Sequence, residues 1–129
     1  VAAGASPLDA GRAVNAVCAA LIVLLTFLIA RRHMDSRLGP ILVALVVALS
    51  PGWVEVTILI QSEALFGVMA LAFLWLLDRM VIRAPDDGIK AGFVVALALT
   101  AGLATAVRHL GFALIAAGAV MLLLVLRRA

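Results

Sequence analysis

Ala106-Val107-Arg108-His109-Leu110-Gly111 separates two apolar runs, residues 89–107 and 112–126. If the chain ran straight through, both runs would join in one helix far longer than the roughly 30 Å hydrocarbon core of a bilayer. If it turns there, the same residues make two crossings, with Arg108 and His109 at the bend. Charge decides between the two. Arg31, Arg32, Arg37, Arg79, Arg83, Lys90, Arg127 and Arg128 are eight of the ten basic residues, and with a turn at Arg108 and two crossings within residues 38–77 all eight fall on one side of five spans. Arg12 and Arg108 fall on the other. Basic residues concentrate on the cytoplasmic side, so the N-terminus is expected outside and the C-terminus in the cytoplasm.

Composition agrees with a bilayer as the solvent. The chain is 67% hydrophobic and 13% charged, with a mean hydropathy of +1.28. A soluble domain averages about 45–50% apolar and about 25% charged residues. The high pI does not point to nucleic acid, because the basic residues end apolar runs and form no surface stripe. One cysteine, Cys18, rules out an internal disulfide and a multi-cysteine metal site, and it reads as a small packing residue.

The expected fold is all-α, a polytopic transmembrane helix bundle of about five spans. It forms a single transmembrane domain over residues 1–129, read as a fragment of a longer membrane protein. Its setting is then integral and multi-pass, in a bacterial plasma membrane. The first span covers residues 13–30, its helix starting earlier at Ser6-Pro7-Leu8-Asp9, with a serine cap, proline in the first turn and an acid at the positive dipole end. The second, residues 38–50, is short for a bilayer. Residues 51–61 read as a loop or short helix in the outer boundary, with Trp53 as interfacial anchor. The third span is 63–77, closed by Asp78-Arg79. Arg83-Ala84-Pro85-Asp86-Asp87-Gly88 reads as a breaker, its two acids capping the next helix. Ala98, Gly102 and Ala106 recur every four residues and predict a close helix contact.

The polar residues carry the functional question. A carboxylate costs free energy in hydrocarbon, so Glu63 must sit at an interface, face a polar cavity or pair. After Ser62 it suits the first turn of a helix, and the same position can present it to a site. Arg108 can snorkel to headgroup phosphates or hold the phosphate of a lipid-linked substrate, since a guanidinium grips an oxyanion with two parallel donors. His109 is a second donor or a base, and Glu55 faces outer water. Asn15, inside the first span, reads as an interhelix hydrogen-bonding group. No phosphate loop, zinc spacing or Ser/His/Asp arrangement stands out.

Gln61-Ser62-Glu63-Ala64-Leu65-Phe66 resembles the S-E-x-L-F element of GT-C type polytopic glycosyltransferases, the dolichyl-phosphate-mannose protein mannosyltransferase-like superfamily. Ala106-Val107-Arg108-His109-Leu110-Gly111 resembles their L-T-R-[YH]-x-G element. Ala13-Val14-Asn15-Ala16 resembles the R-x-x-N start of an early span. The resemblance implies transfer of a sugar from a polyprenyl-phosphate donor at the outer membrane face, by inverting displacement with a carboxylate base. In that family the principal acid lies in a first large outer loop. No such loop occurs here, so the base is expected upstream of this fragment. Arg108 then takes the donor phosphate, with His109, Ser62 and Glu55 as substrate contacts. Glu63 is a supporting residue that orients acceptor, metal or Arg108. The expected partners are the bilayer, the lipid-linked donor and the remaining spans of the parent chain, and not nucleic acid. No metal ligands or cofactor are assigned, and a divalent metal in the parent enzyme stays open. Two other readings remain: a transporter segment, disfavoured by almost purely apolar span interiors, and a non-catalytic membrane scaffold.

Overall fold

A computed structural model of the chain describes residues 6–52, 55, 62–87 and 90–127, with backbone alone for 83–87. The described residues hold five α-helices and no strand. They are α1 (Pro7–His33), α2 (Gly39–Ala48), α3 (Glu63–Asp87), α4 (Ala91–Val107) and α5 (Phe112–Leu126), with a 3-10 turn at His109–Gly111 between the last two. Pro7–His33, Glu63–Ile82 and His109–Leu126 are long and apolar enough to cross a membrane. Large apolar side chains point outward along the helices, among them Val17, Val46, Leu99 and Leu123. In water such a surface would aggregate; in lipid it costs nothing. The expected all-helical membrane fold is therefore what the chain adopts. The chain divides into two compact units, Val1–Val68 and Met69–Ala129.

In the first unit α1 begins as its sequence dictates. Ser6 caps it, its Oγ accepting from Asp9 N at 3.2 Å and donating to the Asp9 carboxylate at 2.8 Å, with Pro7 in the first turn. Asn15, Cys18 and Ile22 recur at helical spacing and are buried on one face. Cys18 is a free buried thiol, as a packing residue should be. Arg31, Arg32 and His33 close the last turn, where cations suit the negative dipole end. The chain then turns through Ser36 into α2, which packs on α1. Ten residues make about 15 Å of helix, so α2 is short by any bilayer measure. Beyond it Pro51, Gly52 and Glu55 have helical backbone. The proposed anchor Trp53 and most of the segment to Gln61 lie outside the described residues.

Two boundaries differ from expectation. Asp78-Arg79 does not end the third helix, which runs on to Asp87. Charge closes an apolar span, but Arg is a good helix former and the helix propagates through it. Arg79 lays its guanidinium over the Trp75 ring, one turn back, at 3.9 Å. That stacking lets the charge lie along the helix at the edge of its apolar stretch. Proline at 85 removes one backbone donor, yet the final turn still closes. Asp86 and Asp87 are the last residues of α3, and α4 starts from Lys90, whose own side chain makes no cap hydrogen bond.

The second unit is built on a hairpin. Phe73, Leu77 and Met80 of α3 form a buried cluster with Leu97 and Ala101 of α4. Phe93, from the start of α4, packs on this cluster together with Met121 and Leu122, from the end of α5. Leu114, from the start of α5, packs on it too, so α5 lines the cluster along most of its length. A Cβ on Gly118 would come within 2.9 Å of Phe73 Cζ, so that glycine lets the ring lie against α5. The stripe of Ala98, Gly102 and Ala106 is not the packed face. All three are exposed, and a Cβ on Gly102 would meet nothing. The buried residues are Leu97, Ala101 and Ala104, beside that stripe. Small-residue spacing marks a face that can be approached closely; the turn at the helix end decides which face is used.

Candidate functional site

The turn at residues 108–111 follows from local backbone bonding. Arg108 caps α4 in extended conformation (φ −154°, ψ 137°), and its N–H donates to the Ala104 carbonyl at 2.9 Å. Gly111 N–H then donates to the Arg108 carbonyl at 2.9 Å, closing the 3-10 turn. Thr105 at the end of α4 returns its hydroxyl to the Ala101 carbonyl at 2.8 Å, so its proton is used within the helix.

Gly111 is the residue that makes the turn this tight. A Cβ there would overlap the Thr105 backbone nitrogen and come within 2.6 Å of the Ala104 carbonyl carbon. Its φ of −58° is ordinary, so the requirement is close approach and not a left-handed backbone. Sequence reading passed over this role. The available signal was a buried position with no side chain, placed just after a polar pair in an apolar chain.

With Gly111 buried against α4, Arg108, His109 and Leu110 are left exposed at the hairpin apex. The two candidate substrate contacts of this stretch thus lie side by side on one turn. Arg108 is also engaged with another group.

In the first unit, Glu63 is the first residue of α3 and is half-buried. The Ser62 carbonyl accepts from Phe66 N at 2.9 Å and closes the first turn, while Ala64 beside them is buried. Glu63 therefore sits where the helix dipole favours an acid, and it too is engaged with another group. Burial and a partner together are what a carboxylate at a membrane boundary needs. Glu55 is exposed, and Gln61 of the same motif lies outside the described residues. Asn15 of the early-span motif is buried at 5% exposure and engaged, which suits an interhelix polar contact better than a ligand site. Among the described residues no three His, Cys, Asp or Glu cluster closely enough to hold a metal ion.

Chemically the apex offers an exposed cation and an imidazole at the end of an apolar helical hairpin. This set suits an oxyanion on a lipid-anchored molecule better than a translocation path, which would need polar groups between the helices. A family model described as Dolichyl-phosphate-mannose-protein mannosyltransferase matches residues 3–129. Comparison with curated proteins finds no match, and comparison with solved structures finds none.

Proposed function

The chain belongs to the dolichyl-phosphate-mannose-protein mannosyltransferase family, and on that premise we propose that it helps move a sugar from a polyprenyl-phosphate donor at the outer face of a membrane. It is a membrane region of a mannosyltransferase-like glycosyltransferase. The observation that carries the finer reading is the hairpin apex, where Gly111 is buried and Arg108 and His109 are exposed.

In the reaction, an acceptor hydroxyl oxygen attacks the anomeric carbon from the side opposite the phosphate. The bond from that carbon to the phosphate oxygen breaks, and the polyprenyl phosphate leaves with the bonding pair. The hydroxyl proton passes to a carboxylate base. Charge grows on the departing phosphate, so a fixed guanidinium there stabilises the transition state more than the bound donor. Arg108 is assigned this role, with His109 as a second donor to the same phosphate. Glu63 is assigned a supporting contact to the acceptor, and Ser62 and Glu55 polar contacts near it.

Two measurements test the reading. Glu63→Gln in the intact protein is expected to lower kcat/KM about tenfold to hundredfold for transfer from a polyprenyl-phosphate-linked mannose, with membrane insertion unchanged. An unaltered rate would remove Glu63 from the site. Orientation is testable because Cys18 is the one cysteine of the chain. In a Cys18→Ala background, Arg108→Cys and Glu63→Cys are each expected to react with an impermeant maleimide added from outside. Reaction from the cytoplasmic side alone would reverse the topology and dismiss an outer-face site.

A further inference from the structure

The turn between α1 and α2 encloses a second feature, independent of sugar transfer. A cavity of about 420 Å³ is lined by Phe27, Arg31, Met34, Asp35, Ser36, Arg37 and Pro40. Phe27 and Arg31 are one helical turn apart on α1, so they share a face. Together with Pro40, which is buried, and Met34, Phe27 gives the cavity an apolar side; Arg31, Asp35, Ser36 and Arg37 give it a polar rim and are exposed.

The polar rim has a definite composition: two guanidiniums, one carboxylate and one hydroxyl. Ser36 Oγ accepts from Leu38 N at 3.2 Å and Gly39 N at 3.3 Å, which fixes the oxygen and leaves its own proton for an acceptor. Arginines grip phosphate oxygens with paired donors. Asp35 among them disfavours a ligand that is only anionic and favours one that also carries a cation. The depth agrees with such a ligand. The apolar stretch of α1 ends at Ala30, and Arg31, Arg32 and His33 form its last turn, where the headgroups of a bilayer begin.

We propose that this cavity seats the headgroup of an aminophospholipid of the phosphoethanolamine type. The phosphate lies against Arg31, Arg37 and the Ser36 hydroxyl, the primary ammonium against Asp35, and the glycerol and first methylenes against Phe27, Met34 and Pro40. A trimethylated choline cannot donate a hydrogen bond to Asp35, and a glycerol headgroup brings no positive charge to it. The site thus distinguishes three common headgroups by one carboxylate.

The intact protein in detergent would be offered phosphatidylethanolamine, phosphatidylcholine and phosphatidylglycerol with identical acyl chains, and bound lipid read by native mass spectrometry. Phosphatidylethanolamine is expected to be retained about tenfold over the other two, the size of effect one charge-assisted hydrogen bond supplies. Arg31→Ala with Arg37→Ala should lower retention of phosphatidylethanolamine about tenfold, since the phosphate loses both guanidiniums, and Arg31→Lys with Arg37→Lys should leave an intermediate level. Asp35→Asn should abolish the preference over phosphatidylglycerol. Equal retention of the three lipids by the wild type, undiminished retention of phosphatidylethanolamine in the double alanine variant, or a preference that survives Asp35→Asn would overturn the proposal. Inorganic phosphate and soluble phosphoethanolamine serve as competitors. Displacement of the lipid by inorganic phosphate at the same concentration as phosphoethanolamine would make this a free-anion site and overturn the lipid assignment.

Discussion

Arg108→Ala in the intact protein is expected to lower kcat/KM for sugar transfer about a hundredfold to a thousandfold, the range for removing one fixed oxyanion-stabilising group. The effect should fall mainly on kcat, because the phosphate gains its charge as the bond to the sugar breaks. Arg108 is exposed at the hairpin apex, and its backbone conformation and its bond to the Ala104 carbonyl do not need the side chain. The variant should therefore insert and fold as the wild type does. Arg108→Lys keeps the charge and loses the planar fork, and should recover part of the lost rate. His109→Ala with its rate intact would leave Arg108 as sole phosphate contact. Wild-type rates in Arg108→Ala would dismiss the site at this apex.

The second large effect lies at Gly111 and concerns stability first. Gly111→Ala is expected to destabilise the second unit by about 1–3 kcal/mol, the usual cost of forcing extra volume into packed structure. The obstacle is one stretch of α4 backbone, the peptide joining Ala104 to Thr105, so no flexible side chain can give way. The turn must open instead. Gly102→Ala is the matched comparison. Its new methyl meets nothing, and a helix-interior glycine replaced by alanine should hold or gain stability, by up to about 1 kcal/mol. Unfolding both variants in mixed detergent micelles would separate the two cases. Equal stability of Gly111→Ala and wild type would mean that the close approach is not needed. Activity should decline along with the turn, since Arg108 is carried on it.

How far the sequence could be read depended on whether each feature was local. The turn at Arg108 was legible because a charged residue, an imidazole and a glycine together interrupt an apolar run and satisfy the charge asymmetry. The start of α1 was legible because Ser6, Pro7 and Asp9 act within one turn. The end of α3 was not, since charge at Asp78-Arg79 marks where the apolar stretch ends and not where the helix does. The packed face of α4 was misassigned for a different reason. Ala98, Gly102 and Ala106 and the true contact face both offer small residues, and the choice rests on how the chain bends at 108–111. Gly111 was visible as part of a motif, but its need for close approach depends on backbone six residues earlier. The cavity at Arg31 and Arg37 joins two helices and a turn, and no single stretch announces it.

The hairpin's legs also have a mechanical consequence for the surrounding lipid. Helix α4 has 17 residues and α5 has 15, so they reach about 26 Å and about 22 Å. With the 3-10 turn the second leg becomes the 18-residue span His109–Leu126, which only just crosses, while α4 falls short of a hydrocarbon layer about 30 Å thick, and a bilayer answers such mismatch by thinning locally. The dimple draws the leaflet surface toward the apex. On the role proposed for Arg108, a lipid carrier standing in that dimple would meet it with less of its chain pulled out of hydrocarbon, and membrane thickness itself would tune how readily the carrier reaches the protein.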